Sequence, residues 1–241
     1  MSRVLTAGEA AFVRARVIYE DADLIAFDKP AGLSSQGGRI KAATLDDLLA
    51  AFERGAGRRP KLAHRLDRDT SGVILAAKTR PAAAFLGKAL AGRRVKKTYL
   101  AIVAPGAPAP PQGRITAPLR RVSQGREVHM AHCAADHPDA ESADTGYRTL
   151  AATSEAALVE LRPHTGRMHQ LRAHMAAIGR PIVGDARYGG ALVLAGAPVP
   201  RLMLHARALE FPHPAGGTRR IEAPVPDDLV GLTRRLGLGE V

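Results

Sequence analysis

The sequence predicts a protein of the α+β class. Short strand-like stretches outnumber helix-like ones, and the two do not alternate regularly as they would in a doubly wound α/β sheet. Hydrophobic residues make up 46% of the 241 residues, which is enough to bury a core and excludes a disordered chain. Because the proline- and glycine-rich stretches 105–113 and 189–200 are typical of surface loops rather than of linkers, we predict one compact domain.

The predicted strands are short runs of apolar and β-branched residues bounded by turn-forming residues. The stretch 20–23 separates the first two runs and is typical of a turn. We predict strands over Val17–Tyr19, Leu24–Phe27, Val73–Ala77, Thr98–Val103, Val128–His132, Tyr147–Leu150, Ala157–Leu161, Leu202–Phe211 and Arg219–Ala223.

Four helices are predicted from capping residues and from the helical spacing of apolar residues. Thr44 is a suitable N-cap for a helix whose apolar residues share one face. Gly179 and Pro181 end the third helix. The predicted ranges are Leu45–Arg54, Pro81–Leu90, Arg167–Ile178 and Asp227–Leu236.

The charge balance points to a polyanionic partner. The chain has 35 Lys and Arg against 23 Asp and Glu, a net charge of +12, and most of the basic residues are arginine, which suits phosphate groups. Trp is absent and aromatic residues make up 4%, which argues against an aromatic platform for single strands. We therefore predict that basic groups contact a nucleic-acid backbone, the alternative being ordinary solvated faces. These groups are Arg54, Arg58, Arg59 and Lys61; Arg93, Arg94, Lys96 and Lys97; and Arg114, Arg120, Arg121 and Arg126.

Several classes of protein are excluded by what the sequence lacks. No apolar run approaches the roughly 20 residues of a membrane-spanning helix, and charged residues interrupt the first residues where a secretory signal would lie. The single cysteine, Cys133, excludes an intramolecular disulfide and fits a reducing cytosol, so we expect a cytoplasmic protein. No phosphate-binding glycine motif is present, and no nucleotide cofactor is therefore expected.

Two groups of histidines could suggest a metal site. Residues 164, 169 and 174 are histidines spaced five apart, about 140° around a helix, so they cannot share one face. In the second group, His129 and Cys133 would point to one side of a strand and His132 to the other, with His137 beyond. We predict an ordinary strand and loop here rather than a zinc site.

The most polar segment, His64–Gly72, leads directly into the apolar strand Val73–Ala77. A scaffold often displays functional side chains at such a place. The alternative is a charged turn whose aspartates cap local amides. Because Asp67 lies between Arg65 and Arg68, we expect it to stay ionised, as a nucleophile or an electrostatic partner rather than a general acid.

Six segments, in order along roughly Asp21–Pro226, resemble the RluA-type pseudouridine synthases. His64–Gly72 is similar to the signature HRLDxxTSG of that family. The other segments are Asp28–Leu33 (DKPxG), Lys97–Tyr99 (KxY), His164–His174 (TGRxHQ[I/L]RxH), Pro181–Asp185 and Leu204–Ala206. The resemblance implies a catalytic domain over residues 21–241 after an extension over residues 1–20. It also implies a mixed, largely antiparallel sheet with flanking helices and a central basic cleft.

The resemblance also implies a mechanism without metal, nucleotide or redox cofactor. Asp67 would attack the target uridine at C1′ of the ribose or at C6 of the base; the glycosidic bond breaks, the uracil turns, and C5 rejoins C1′. Arg65 would fill the gap left in the RNA stack by the flipped uridine. Tyr99 would lie against the uracil and mediate removal of the C5 proton, and Arg167 would pair with Asp67. Taken alone, a tyrosine such as Tyr99 is more often a core strand residue, and an arginine such as Arg167 is more often an ordinary charge at a helix N-terminus.

These assignments agree with physical requirements. A base inside a helix cannot be reached, so flipping costs a few kcal/mol of unstacking, which a planar guanidinium partly offsets. A carboxylate held in a closed pocket needs a compensating cation. Further contacts with RNA are expected from residues of the same segments and of the basic groups. They are His64, Arg68, Thr70, Arg93, Lys97, His169, Gln170 and Arg172.

The expected substrate is a structured stem-loop of tRNA, of large-subunit ribosomal RNA, or of both, and the expected state is a monomer. Because about 20 residues precede the first motif, we expect this chain to lack the S4-type RNA-binding domain that larger members carry there. Two alternatives remain: a non-catalytic RNA-binding or RNA-folding protein on the same scaffold, and a nuclease. The sequence offers no carboxylate cluster suited to the magnesium of a nuclease.

Overall fold

The computed structural model describes residues 4–37, 43–55, 58–125 and 127–240. Its contacts divide the chain into two compact units. The first contains residues 1–95 and 206–224, and the second contains residues 96–205 and 225–241. The predicted extent of one domain over residues 21–241 stays a prediction.

The first unit is an antiparallel sheet with helices. Strand β2 (Leu24–Lys29) pairs with β1 (Val17–Glu20) on one side and with β4 (Ser71–Ala77) on the other. The short β3 (Lys61–Leu62) also pairs with β4, and β13 (Leu204–Pro212) lies next to β4 and pairs with β14 (Thr218–Glu222). The helices here are α1 (Ala7–Arg14), α2 (Leu45–Leu48), which continues as a 3₁₀ turn over Leu49–Phe52, and α3 (Arg80–Ala91).

The second unit contains an antiparallel sheet in the order β5 (Lys96–Val103), β10 (Ala157–Pro163), β9 (Thr145–Ala152) and β6 (Gln112–Ile115). Two further pairs are hairpins outside this sheet. They are β7 (Leu119–Gln124) with β8 (Glu127–His132), and β11 (Val193–Leu194) with β12 (Ala197–Pro198). The helices are α4 (Gln170–Ala177) and α5 (Asp227–Arg235).

The burial of the strands follows from their composition. Every residue of β4 is buried, as expected for a continuous apolar run at the centre of a sheet. Gly72 is required at its start because its φ of +112° is a left-handed conformation, and a Cβ there would lie 2.2 Å from the Ala206 carbonyl oxygen. In the second unit, α4 packs through Ala173 on a small core formed by Leu119, Met130 and Ala143.

The predicted α+β class and largely antiparallel sheet are confirmed. Each predicted strand has a counterpart, with ends shifted by a few residues. Thr44 caps its helix with a reciprocal bond to Asp47, but the α-helix ends after one turn, so the predicted Leu45–Arg54 helix is too long. The helix predicted from Arg167 begins instead at Gln170, because His169 has a left-handed φ of +50° that ordinary helix does not accept.

Some elements were not predicted. Helix α1 lies in the segment predicted to be an N-terminal extension, and Thr6 and Glu9 form a capping box at its start. Strand β7 carries two adjacent arginines after Leu119, so its sequence lacks the alternation of apolar and polar residues that predicts a strand. Within the described residues, no helix is long and apolar enough to cross a membrane.

A polar network joins two turns of the first unit through Asp21. Its carboxylate accepts hydrogen bonds from the Tyr19 hydroxyl at 2.6 Å, from the backbone N–H of Leu24 at 2.7 Å and from His213 Nε2 at 2.8 Å. Partial burial alone would raise the pKa of Asp21, but these hydrogen bonds, with one from the Asp23 N–H, lower the pKa to about 2. The ionised carboxylate therefore stabilises the fold.

We predict that Asp21→Asn lowers the free energy of unfolding at neutral pH by about 1 kcal/mol, allowing for solvent screening. The pKa of Asp21 in the folded protein is depressed below its ordinary value of 3.8, so its contribution is complete above about pH 4 and is lost as the pH falls toward 2. Urea unfolding of both proteins from pH 7 to pH 2.5 measures this. The difference should shrink with acid, and a constant difference contradicts the account. Asp23→Asn is the matched control, because its side chain makes only a 3.3 Å contact with Thr79.

Candidate functional site

The segment that carries Asp67 is a turn between β3 and β4 in the first unit. Arg65 and Arg68 are exposed, and Asp67 is half-buried. The neighbouring carboxylate of Asp69 accepts a bond from Arg68 Nε at 2.9 Å. The Thr70 N–H donates to the Asp67 carbonyl at 3.2 Å, which closes the turn.

A buried lysine holds this turn by hydrogen bonds to its backbone. Lys29, at the end of β2, is fully buried, and its ammonium donates to the carbonyls of Pro30 at 2.9 Å, Leu33 at 2.7 Å and Arg68 at 3.0 Å. The Gly32 N–H donates to the same Arg68 carbonyl at 2.9 Å. Burying an ammonium is costly unless its donors are satisfied, and this ring of carbonyls satisfies them. The segment Asp28–Leu33 therefore binds the backbone immediately after Asp67.

Ser35 holds the backbone immediately before Asp67. Its hydroxyl donates to the Leu66 carbonyl at 2.7 Å and accepts from the Leu66 N–H at 3.0 Å. Both residues are buried. With Lys29 on the other side, each neighbour of Asp67 is tied to residues 29–35, so the carboxylate extends from a fixed backbone.

His64 and Thr70, predicted to contact RNA, lie at the two ends of the turn. His64 Nε2 accepts the N–H of Leu75 in β4 at 3.2 Å, so this nitrogen carries no proton. Thr70 is buried, with 2% of its surface exposed. Both residues therefore contribute to the shape of the turn.

Tyr99 and Lys97 lie on the same side of β5, in the second unit. Tyr99 is buried, with 8% of its surface exposed, and lies opposite Leu161 of β10. Burial lowers the pKa of Lys97. Arg93, in the first unit, is exposed in the turn after α3 with a left-handed φ of +54°.

Gln170 shapes the loop before α4. Its Oε1 accepts bonds from the Thr165 hydroxyl at 2.7 Å and from the Arg167 N–H at 3.0 Å. Its Nε2 donates to the Asp144 carbonyl and the Thr145 hydroxyl, both at 2.9 Å. Both the oxygen and the nitrogen of the Gln170 amide are thus hydrogen-bonded to the protein itself, and Gln170 fixes the course of the loop.

The side chain of Arg167 is 37% exposed and is held by the segment that precedes β9. Its Nη1 lies 3.0 Å from Glu141 Oε2, and its Nε donates to the Ser142 carbonyl at 3.0 Å. The predicted pairing of Arg167 with Asp67 stays a prediction.

Arg172, on the first turn of α4, is the more rigid of the two cations. Its Nε and Nη2 donate to the two oxygens of the Asp185 carboxylate at 2.7 Å and 2.8 Å, and Asp185 is fully buried. The guanidinium also lies 5.0 Å from the centre of the Tyr188 ring. Such a two-point pair fixes both the position and the plane of the guanidinium.

Tyr188 connects this cation to the β7–β8 hairpin. Its hydroxyl accepts the Met130 N–H at 2.9 Å and lies 3.0 Å from His169 Nδ1, and burial raises the pKa of Tyr188. Arg187 donates to the Val128 carbonyl at 2.8 Å. Sequence reasoning assigned no role to Lys29, Ser35, Asp185 or Tyr188, although Lys29 and Asp185 lie within segments that resembled the family.

The histidine and cysteine group at β8 has separate partners. The thiol of buried Cys133 faces the Pro118 carbonyl, His129 packs edge-on against Tyr188, and His137 Nδ1 accepts the Asp139 N–H. Across the described ranges, no group of three or more His, Cys, Asp or Glu side chains is arranged to hold a metal ion.

The basic groups are partly neutralised by carboxylates. Arg54 pairs with Glu20 at 3.3 Å, Arg59 pairs with Asp46 at 3.6 Å, and Arg114 pairs with Asp144. Such exposed pairs leave the arginines available to phosphate groups, because each pair contributes little free energy. Arg126 lies outside the described residues.

We predict that Lys29→Met lowers the free energy of unfolding by about 2–4 kcal/mol, because buried carbonyls lose their donor. Urea unfolding measures this. Lys61→Met is the control, since Lys61 is an exposed residue of β3 and its replacement is expected to change stability by no more than about 0.5 kcal/mol. Equal stability of the two variants contradicts the role of Lys29.

Comparison with known proteins supports the resemblance seen in the sequence. The profile of the family described as RNA pseudouridylate synthase matches residues 23–177. Ribosomal large subunit pseudouridine synthase D of Xanthomonas campestris pv. campestris is 38% identical over 239 residues, covering 91% of this chain and 69% of the relative. An uncharacterized RNA pseudouridine synthase of Zymomonas mobilis subsp. mobilis is 38% identical over 218 residues, covering 90% of this chain and 96% of that protein.

A solved structure agrees with the sequence matches. Human RNA pseudouridylate synthase domain containing 4 superposes with a TM-score of 0.81 at 28% identity, covering 95% of this chain and 96% of that one. The predicted family and its isomerase activity are therefore confirmed. The chain belongs to the RNA pseudouridylate synthase family and is an isomerase that acts on RNA.

Proposed function

We propose that this enzyme converts specific uridines of structured RNA to pseudouridine, with Asp67 as the essential nucleophile. The observation that carries the proposal is the fixed turn: Leu66 is bound by Ser35 and Arg68 by Lys29, so the Asp67 carboxylate between them is held in one place. Preorganised groups reduce the cost of reaching the transition state.

The reaction balances without a co-reactant. Asp67 attacks C1′ or C6, the bond between N1 and C1′ breaks, and the uracil turns so that C5 bonds to C1′. C5 then loses its proton, N1 gains one, and the carboxylate is released. Tyr99 is proposed to lie against the uracil and to mediate this proton transfer, since a tyrosine combines an apolar face with a hydroxyl.

Arg167 is proposed to pair with Asp67 and keep it ionised. Arg172 is a second candidate for a stabilising cation beside Arg167, and two observations support including it. It is less exposed than Arg167, and its two bonds to Asp185 hold it rigidly. A positive charge that does not reorganise during the reaction stabilises an anion most effectively.

Base flipping is proposed to use Arg65, which is exposed two residues before Asp67. Its planar guanidinium would replace part of the stacking that the flipped uridine loses. Arg68, Arg93, Lys97 and His169 are proposed to contact the RNA. His64 and Gln170 are assigned to shaping the site, because the protein itself uses their polar atoms.

The proposed substrate is large-subunit ribosomal RNA, with tRNA as the other class to test. Two relatives that the chain matches over 91% of its length are named as ribosomal large subunit pseudouridine synthases: the Xanthomonas protein, and synthase C of Escherichia coli O157:H7 at 36% identity. The net charge of +12 suits either RNA. We propose that the enzyme works in the cytoplasm as a monomer.

We predict that Asp67→Asn abolishes tritium release from RNA labelled at C5 of uridine, with a loss of at least about 10⁴-fold, as expected for an essential nucleophile. Ribosomal RNA and tRNA that lack the modification are tested separately. Asp69→Asn is the matched control on the same turn, and it should keep the rate within about fivefold, because its exposed pair with Arg68 contributes little.

The outcomes separate the candidate functions. Release from one RNA class that is lost only in Asp67→Asn supports the proposal and identifies the substrate class. Tight RNA binding without release from either class would favour a non-catalytic RNA-folding protein. Equal activity of Asp67→Asn and the native protein contradicts the proposal that Asp67 is the nucleophile.

We predict that Arg65→Ala slows turnover about 10- to 100-fold on a folded stem-loop, because unstacking costs a few kcal/mol, and much less on an unstructured oligonucleotide of the same sequence. Single-turnover rates on the two RNAs measure the difference. Equal losses on both RNAs argue against the stack-filling role.

A further inference from the structure

Arg167 is held at three atoms within the second unit. Its backbone N–H donates to Gln170 Oε1, its Nε donates to the Ser142 carbonyl, and its Nη1 pairs with Glu141 Oε2, each at 3.0 Å. Nη2 is the guanidinium nitrogen for which the described residues provide no partner. The plane of the guanidinium is therefore set, with one edge left for another acceptor.

Glu141 extends from an equally fixed backbone. Its N–H and carbonyl both bond to Leu119, at 2.8 Å and 3.0 Å. Leu119 is fully buried, and two residues after Glu141, Ala143 is buried in the same small core. A carboxylate on such a backbone can orient its partner with little loss of freedom on its own side.

We propose that Glu141 is a positioning residue, which together with the Ser142 carbonyl orients Arg167 so that Nη2 faces the anion it stabilises. The inference rests on the proposed role of Arg167. Two directional bonds on different nitrogens fix a planar guanidinium, which a single ion pair does not do. Glu141 lies outside every short motif segment that resembled the family.

Stability alone does not account for this pair. Glu141 is 36% exposed and Arg167 is 37% exposed, and ion pairs this exposed contribute little to folding. We therefore expect Glu141 variants to fold normally, with thermal midpoints within about 2 °C of the native protein. The effect of the substitution should appear in the rate.

A double-mutant cycle with Arg167→Met tests the proposal. Single-turnover tritium release is measured for the native protein, Glu141→Ala, Arg167→Met and the double variant. We expect Glu141→Ala to slow the native protein about tenfold, because small misplacements of a catalytic group are costly, and the Arg167→Met background by less than about twofold. Glu141→Gln, which keeps an oxygen for Nη1, should fall between native and Glu141→Ala.

Glu155→Ala is the control for the change in net charge, because it removes one negative charge just as Glu141→Ala does. Glu155 is exposed in the turn between β9 and β10, and its replacement should leave the rate unchanged. The same slowing by Glu141→Ala in both backgrounds overturns the proposal, as does a Glu141→Gln variant slower than Glu141→Ala. If Arg167→Met reacts at the native rate, the proposed role of Arg167 fails as well. If Arg167→Met is slow while Glu141→Ala is native, only this inference fails.

Discussion

The ammonium of Lys29, surrounded by three carbonyl oxygens, is the interaction on which the candidate site depends. Lysine suits this position because it carries three donors on a compact group, and three carbonyl oxygens accept hydrogen bonds from that group. A planar guanidinium could not point at carbonyls arranged around a single atom. The same oxygen of Arg68 also accepts the Gly32 N–H, so hydrogen bonds hold strand β2, the following turn and the backbone beside Asp67 together.

A similar principle organises the loops of the second unit. Gln170 satisfies four polar groups around the loop before α4, and Asp185 holds Arg172 with two bonds while it accepts the N–H groups of Arg187 and Tyr188. In each case a buried polar side chain bonds to several segments at once. Such groups rigidify a site only when all their bonds are made, and here they are. Exposed functional side chains can then extend from loops whose backbones are fixed.

Much of this could be predicted from the sequence, for physical reasons that differ between elements. The run Val73–Ala77 predicted a buried strand because its composition allows no exposed face, and the structure confirms this strand. The polar turn before it predicted a functional role for Asp67, and that role stays a prediction. Helix α4 was predicted to begin too early because helical spacing does not show that His169 takes a left-handed conformation, in which its ring contacts the Tyr188 hydroxyl. Lys29 could not be interpreted from its sequence position, since its key acceptor lies 39 residues away and a lysine at a strand end is usually exposed.

The central claim is that the buried ammonium fixes the turn that presents Asp67, and hydrogen–deuterium exchange tests it most directly. Native protein and Lys29→Met are compared at a temperature where both are folded. Exchange is followed at the amides of Gly32, Leu66 and Thr70, which donate to the Arg68 carbonyl, the Ser35 hydroxyl and the Asp67 carbonyl respectively. The account predicts faster exchange at these amides in Lys29→Met and unchanged exchange along β10. Unchanged protection at all three amides would contradict it.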